Sequence, residues 1–165
     1  MKRLMLMTFC ALLLGATSLA NAATFNLIAN IDGIQSGTGS TATGSATMTY
    51  DDISGLFSWN IAWTPLLGNI TVAHFHGPAP AGSNAGVQVD WLSISGATSP
   101  SIGSTVINSA QGTDLLAGLW YINIHSSVFP GGEIRGQVNL VPVPAALWLF
   151  LGALGVLGMR RPLKR

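Results

Sequence analysis

The strongest constraint on the fold is a two-residue alternation of large apolar side chains in the middle of the chain. Residues 57–63 read FSWNIAW, in which a phenylalanine, two tryptophans and an isoleucine alternate with serine, asparagine and alanine. Successive side chains of a β-strand point to opposite faces, so all four large side chains share one face. We therefore predict a central strand whose aromatic face is buried. A carbohydrate-binding face is the alternative reading, but Ser58, Asn60 and Ala62 already supply a solvent-facing side.

Weaker alternation recurs through the body of the chain, and turns rich in glycine, proline, serine and threonine separate the repeats. The predicted strands cover residues 25–31, 46–50, 57–63, 70–76, 87–91, 119–125 and 133–140. Residues 93–104 are predicted to be mostly loop, and residues 113–117 to form a single helical turn. About seven short strands at this spacing predict an all-β, antiparallel β-sandwich over residues 23–140.

The only histidines of the chain lie on two of these predicted strands. His74 and His76 are two residues apart and share a strand face, and His125 lies on the polar face of a later strand. Neutral imidazoles are good ligands for copper or zinc, so the three histidines are candidate metal ligands, with Asp90 or Glu133 as further carboxylate ligands. The alternative is that all three are structural residues held by hydrogen bonds, and a β-bulge would change which face His74 occupies.

The charges divide the chain into three parts. Both ends are basic, whereas residues 23–140 contain one arginine against all six acids, a net charge of −5 with neutral histidines. An acidic body argues against nucleic-acid binding. On the last predicted strand Glu133 and Arg135 share the outward face, where a surface ion pair would stabilise the fold by less than about 1 kcal/mol.

Residues 1–22 have the three parts of a secretory signal peptide. Lys2 and Arg3 precede an apolar run, which ends at the small-residue sequence Ala20-Asn21-Ala22. We predict cleavage after Ala22 and export of the remaining chain. A retained membrane anchor is the competing reading, but the apolar run is short for a span of about 20 residues. The only cysteine, Cys10, lies in this leader, so the mature domain can form no internal disulfide.

Residues 141–165 change composition abruptly. A proline-containing segment comes first, an uncharged apolar run occupies residues 145–159, and a basic cluster ends the chain. This order predicts a short transmembrane helix over residues 145–159 with its basic end in the cytoplasm, so that the β domain would lie on the far side of the inner membrane. A buried C-terminal helix is the alternative.

Four segments of the body resemble the CHRD domain, a module named after chordin. They are GSATMTY at residues 44–50, AHFHGPAPAG at 73–82, DLLAGLWYINIHS at 114–126 and FPGGEIRGQV at 129–138. The resemblance implies an immunoglobulin-like or superoxide-dismutase-like β-sandwich without an established enzymatic activity. The departure from the family lies in residues 32–39, which lack the acidic Val-Pro pattern common in that loop.

The tail resembles a PEP-CTERM sorting signal of the VPLPA type. This resemblance implies recognition by an exosortase-type membrane peptidase at Val141, Pro142, Val143, Pro144 and Ala145, in a Gram-negative bacterium that makes extracellular polysaccharide. It also implies a transient membrane anchor at residues 145–159, followed by release to the cell surface, extracellular matrix or biofilm.

Two functional hypotheses follow from the sequence. In the first, the protein is a non-catalytic binding or structural module, with a polysaccharide or another protein as its partner. No Gly-x-Ser-x-Gly elbow, phosphate loop or nucleophilic cysteine is present in the body, so no residue is assigned a catalytic role. In the second, the protein binds copper or zinc through His74, His76 and His125. Three histidines are too few for the two-metal arrangement of a copper-zinc dismutase, and a shared fold does not carry function.

Overall fold

A computed structural model describes residues 23–142 of the chain, so the predicted leader and the predicted transmembrane segment lie outside the described residues. This part of the chain is all-β, with nine strands and three short helices. The elements are β1 (Thr24–Asp32), α1 (Gly33–Ser36), β2 (Thr43–Asp51), β3 (Leu56–Trp63), β4 (Ile70–His76), β5 (Val87–Asp90), α2 (Trp91–Ser95), β6 (Ser101–Val106), α3 (Ser109–Leu116), β7 (Tyr121–Ser126), β8 (Ile134–Gln137) and β9 (Asn139–Leu140).

The strands form one continuous antiparallel sheet in the order β5-β4-β7-β8-β1-β2-β3-β6, and β9 pairs with β1. The sheet curls into a half-barrel, so strands that are far apart in this order face each other across the core. Phe57 on β3 packs edge-on against Phe75 on β4 with ring centroids 4.9 Å apart. The prediction of an all-β, antiparallel fold is confirmed, although its strands belong to a single curled sheet.

The alternating aromatic segment forms a strand of the core, as predicted. Phe57, Trp59 and Ile61 are each at most 2% exposed, and β3 lies between β2 and β6 in the sheet. Phe57 also contacts Trp120 edge-on at a centroid distance of 5.8 Å, which is a favoured geometry for aromatic pairs. Burial therefore excludes this face as a carbohydrate-binding surface.

Residues 93–104, which are predicted to be mostly loop, contain most of α2 and most of the edge strand β6. β6 does not follow the usual pattern of large apolar side chains inward and polar side chains outward. Its inward positions hold small residues, whereas Ile102 and Val106 are exposed. The Trp59 ring fills the space on the inner side of β6, since a Cβ added at Gly103 would come within 2.7 Å of this ring. Small inward residues and apolar outward ones give no recognisable strand pattern in the sequence.

The predicted helical turn is part of a longer helix, α3. It begins four residues earlier than predicted, at Ser109, and Asn108 caps it. The Asn108 side chain accepts a hydrogen bond from the Gln111 amide at 2.9 Å, and the Gln111 side chain accepts one from the Asn108 amide at 3.0 Å. This reciprocal capping box fixes where the helix starts.

Among residues 23–142, no helix combines the length and the apolar composition needed to cross a membrane. The predicted span at residues 145–159 lies beyond this part of the chain, and it stays a prediction.

Candidate metal site

The two strands that carry the histidines are neighbours in the sheet. In β4, Ala73 and Phe75 are fully buried in the core, so His74 and His76 point to the outer face of the sheet. Across the β4–β7 ladder, His125 lies opposite Val72, one position along the outer face from His74. The register shifts between Ile70 and Val72, but His74 and His76 keep the common face that the sequence predicted.

The three imidazoles form one cluster. The ring centroid of His74 lies 5.3 Å from that of His76 and 5.4 Å from that of His125, and one nitrogen from each of the three rings lies within 4.8 Å of the others. The cluster could therefore hold a metal ion, as the sequence predicted for these residues.

Two of the rings are oriented by backbone carbonyls. Nδ1 of His76 lies 3.0 Å from the carbonyl oxygen of Ala85, and Nδ1 of His125 lies 2.8 Å from that of Pro130. A carbonyl oxygen can only accept, so each Nδ1 carries the proton and donates it. The lone pair of both rings is then on Nε2, which is the arrangement in which a second hydrogen bond fixes the tautomer of a metal ligand.

Each ring has one buried nitrogen without a hydrogen-bond partner in the described part of the chain. These atoms are Nδ1 of His74, Nε2 of His76 and Nε2 of His125. Buried polar atoms in folded proteins are normally paired, and an unpaired one costs about 1–3 kcal/mol. Each ring of the cluster therefore has one nitrogen that makes no hydrogen bond within residues 23–142.

The electrostatics of the cluster favour neutral imidazoles. Burial lowers the pKa of His74, and the nearby Asp90 opposes this only in part. Burial also lowers the pKa of His76, against the effect of its hydrogen bond to Ala85. Metal ions bind the deprotonated form of histidine, so a lowered pKa keeps both rings ready to coordinate at neutral pH.

The loop between β4 and β5, residues 77–86, covers the outer face next to the cluster. Ala85 is its main anchor, because its carbonyl oxygen accepts from His76 and its amide donates to the Tyr121 hydroxyl at 3.0 Å. His125 is buried, whereas His74 and His76 stay partly exposed. A metal ion could therefore reach the cluster from the side of β4.

Neither predicted carboxylate ligand belongs to the histidine cluster. Asp90 lies across from His74 on β5, but its side chain caps α2 and accepts hydrogen bonds from the backbone amide and the hydroxyl of Ser93. These hydrogen bonds from Ser93 lower the pKa of Asp90. The Asp90 carboxylate therefore serves as the N-terminal cap of α2.

The predicted surface position of Glu133 was wrong. Glu133 is fully buried, and its Oε1 accepts hydrogen bonds from the Ser40 hydroxyl at 2.8 Å and the Leu67 amide at 2.7 Å. It precedes β8 and lies in the turn before it, so the alternation of the strand does not apply to it. Arg135 does face outward, but the loop at residues 77–86 buries it.

The fold and the site thus define an all-β domain with a three-histidine cluster that could hold a metal ion. A scan against models of protein families matches residues 27–138 to the CHRD domain, and the chain belongs to the CHRD-domain family. All three histidines lie within the matched range. Searches of curated proteins and of solved structures found no match. Membership of this family suggests a non-catalytic binding or structural module.

Proposed function

We propose that this CHRD-domain protein is a non-catalytic module that binds one copper or zinc ion through His74, His76 and His125. The observation that carries the proposal is the convergence of the three imidazoles, with one nitrogen from each ring within 4.8 Å of the others. Nδ1 of His76 and Nδ1 of His125 are hydrogen-bonded to backbone carbonyls, which leaves Nε2 of both rings to coordinate. A metal ion between the three rings would be coordinated by all of them at once.

The donor set favours a borderline transition metal. Three imidazoles with no thiolate or carboxylate in the cluster suit copper or zinc, and nitrogen sites generally bind Cu²⁺ more tightly than Zn²⁺. A metal–nitrogen bond of about 2.0–2.1 Å allows two ligand nitrogens to be at most about 4.2 Å apart. Since the nitrogens lie within 4.8 Å of one another, small movements of the side chains would close the site.

A metal titration tests this proposal. We expect the purified, chelator-treated protein to bind one equivalent of Cu²⁺ or Zn²⁺, with Cu²⁺ displacing Zn²⁺. Because the ion would bind only the folded chain, its binding should also raise the thermal unfolding midpoint. A stoichiometry far below one equivalent for both ions, with an unchanged midpoint, would contradict the proposal.

We propose that the two halves of the curled sheet act as the two layers of a sandwich of the immunoglobulin or superoxide dismutase type. In support, Phe57 on one half packs against Phe75 on the other half, so apolar side chains meet face to face as they do between packed sheets.

We also propose that the protein is exported and then sorted at its C-terminal tail, where it would reach the cell surface or matrix and meet polysaccharide or protein partners. One contact and one exposed position of the body support this. The Ala23 nitrogen lies 2.9 Å from a carboxylate oxygen of Asp52, so cleavage after Ala22 would place a new α-ammonium group beside an acid. At the other end, Val141 is 40% exposed immediately after β9, so the proline motif begins at the surface, where a peptidase could reach it.

Mass spectrometry of the protein recovered outside the inner membrane tests the processing. The expected mature chain begins at Ala23 and lacks residues 145–159. An intact leader on the recovered protein would refute export by signal cleavage, and a retained span would refute removal of the tail.

A further inference from the structure

Arg135 is the only lysine or arginine between residues 23 and 142, and it is only 6% exposed. It lies on the outer face of β8, and its guanidinium group reaches into the loop that covers the histidine cluster. One of its nitrogens donates to Asn84 Oδ1 at 3.0 Å, and another donates to the Ser83 carbonyl oxygen at 2.6 Å. Both partners are neutral, so the buried cation is held by loop oxygens.

The same guanidinium group also stacks on an aromatic ring. Its central carbon lies 3.4 Å from the centroid of the Tyr121 ring, which is close enough for a cation–π interaction. The Tyr121 ring is in turn nearly parallel to His76, with an interplanar angle of 7° and a centroid distance of 5.0 Å. Arg135, Tyr121 and His76 therefore form a stacked series that ends at one of the three candidate ligands.

Arg135 is thus connected to His76 by two routes. The first is the stack through the Tyr121 ring. Through Ser83 and Asn84 it holds the segment whose next residue, Ala85, accepts the hydrogen bond from His76 Nδ1. A planar guanidinium can hold two loop oxygens and lie flat on a ring at the same time, whereas a lysine ammonium cannot.

We infer that Arg135 is a positioning residue of the proposed metal site, one that orients His76 through the Tyr121 ring and through the loop at residues 83–85. This inference rests on the proposed metal-binding function. A positive charge near the cluster repels a metal cation, so attraction between charges does not explain its presence there. Its contribution is the orientation of the ligand.

The test uses the Arg135→Lys variant, which keeps the charge and removes the planar fork. We expect its affinity for Cu²⁺ to fall about 10- to 100-fold, the range typical for residues that orient metal ligands. At saturating Cu²⁺, we expect its electron paramagnetic resonance spectrum to show altered copper hyperfine coupling. The Asn84→Ala variant changes an exposed loop residue and should lower the Cu²⁺ affinity by a smaller factor. It replaces Arg135→Lys in this test if Arg135→Lys does not fold.

The matched control is Gln137→Ala. Gln137 lies opposite Tyr121 in the β7–β8 ladder, but its side chain donates to the Ala79 carbonyl oxygen at 3.1 Å, at the beginning of the same loop, and to the Gly118 carbonyl oxygen at 2.7 Å. Within residues 23–142 it makes no side-chain hydrogen bond to Arg135, Tyr121 or His76. The copper spectrum of this variant should match that of the wild type. Wild-type affinity and spectrum in the Arg135→Lys and Asn84→Ala variants, or the same spectral change in Gln137→Ala, would overturn the inference and leave metal binding intact. A wild-type protein that binds no Cu²⁺ would overturn the proposed function and, with it, this inference.

Discussion

Replacing His74 with alanine is expected to weaken metal binding at least about 100-fold and to leave the fold intact. The loss of one of three ligands should exceed the 10- to 100-fold cost that is typical of removing a residue that only orients a ligand. Within residues 23–142 the Nδ1 atom of His74 is buried without a hydrogen-bond partner, so the substitution breaks no hydrogen bond of this part of the chain at that atom. Titration with Cu²⁺ measures the affinity, and denaturant unfolding of the metal-free variant measures the fold.

The control for this experiment is Val72→Ala, on the same strand and the same outer face. Val72 is 41% exposed, and its loss removes apolar side-chain atoms while keeping all three histidines. Its metal affinity should equal that of the wild type. Unchanged metal affinity in His74→Ala would remove His74 from the site, and an equal loss in Val72→Ala would assign the effect to the strand in general.

Replacing Glu133 with alanine is expected to destabilise the fold by roughly 3–5 kcal/mol, because two hydrogen bonds to a charged group are lost, each typically worth about 1.5–3 kcal/mol. Its carboxylate ties two parts of the chain together by hydrogen bonds, Ser40 before β2 and the loop around Leu67 before β4. Without it, the buried donors of these residues would lose their acceptor. Denaturant unfolding at neutral pH, with the midpoint and the slope fitted separately, measures the change. A loss below about 1 kcal/mol, typical of surface substitutions, would contradict this role.

Glu133→Gln separates the charge of this group from its shape. Burial raises the pKa of Glu133, but the donor groups of Ser126, Leu67 and Ser40 around the carboxylate outweigh burial, so the pKa in the folded protein lies below its usual value. The stabilisation from the charge is therefore complete above the unfolded-state pKa, and it is lost as the pH falls through the folded-state pKa. We expect the wild type to lose more stability than Glu133→Gln between neutral pH and pH 3. Parallel stability curves for the two proteins would contradict this assignment.

Much of the fold follows from side-chain periodicity. The alternation in residues 57–63 predicts both the strand and its buried face, because the large apolar side chains on one face of a strand pack in the core. The two-residue spacing of His74 and His76 likewise gives their common face. The sequence does not show which strands are neighbours, so the approach of His125 to the pair depends on β4 lying beside β7.

The features that the sequence did not predict depend on contacts between distant segments. Glu133 reads as a solvent-facing residue until the loops before β2 and β4 are seen to close over it. Arg135 reads as a surface charge until the loop at residues 77–86 covers it, and only its isolation as the single cation of the body hinted at a special role. In β6 the inward positions are small because Trp59 already fills the space.

The most direct test of the metal site is anomalous diffraction from crystals of the protein grown with Cu²⁺ or Zn²⁺, measured at the absorption edge of the metal. The expected result is one strong peak about 2.0–2.1 Å from Nδ1 of His74, Nε2 of His76 and Nε2 of His125. The hydrogen bonds from Nδ1 of His76 and His125 to the Ala85 and Pro130 carbonyls should persist. A peak elsewhere on the domain, or three imidazoles with no metal between them at saturating concentration, would contradict the account.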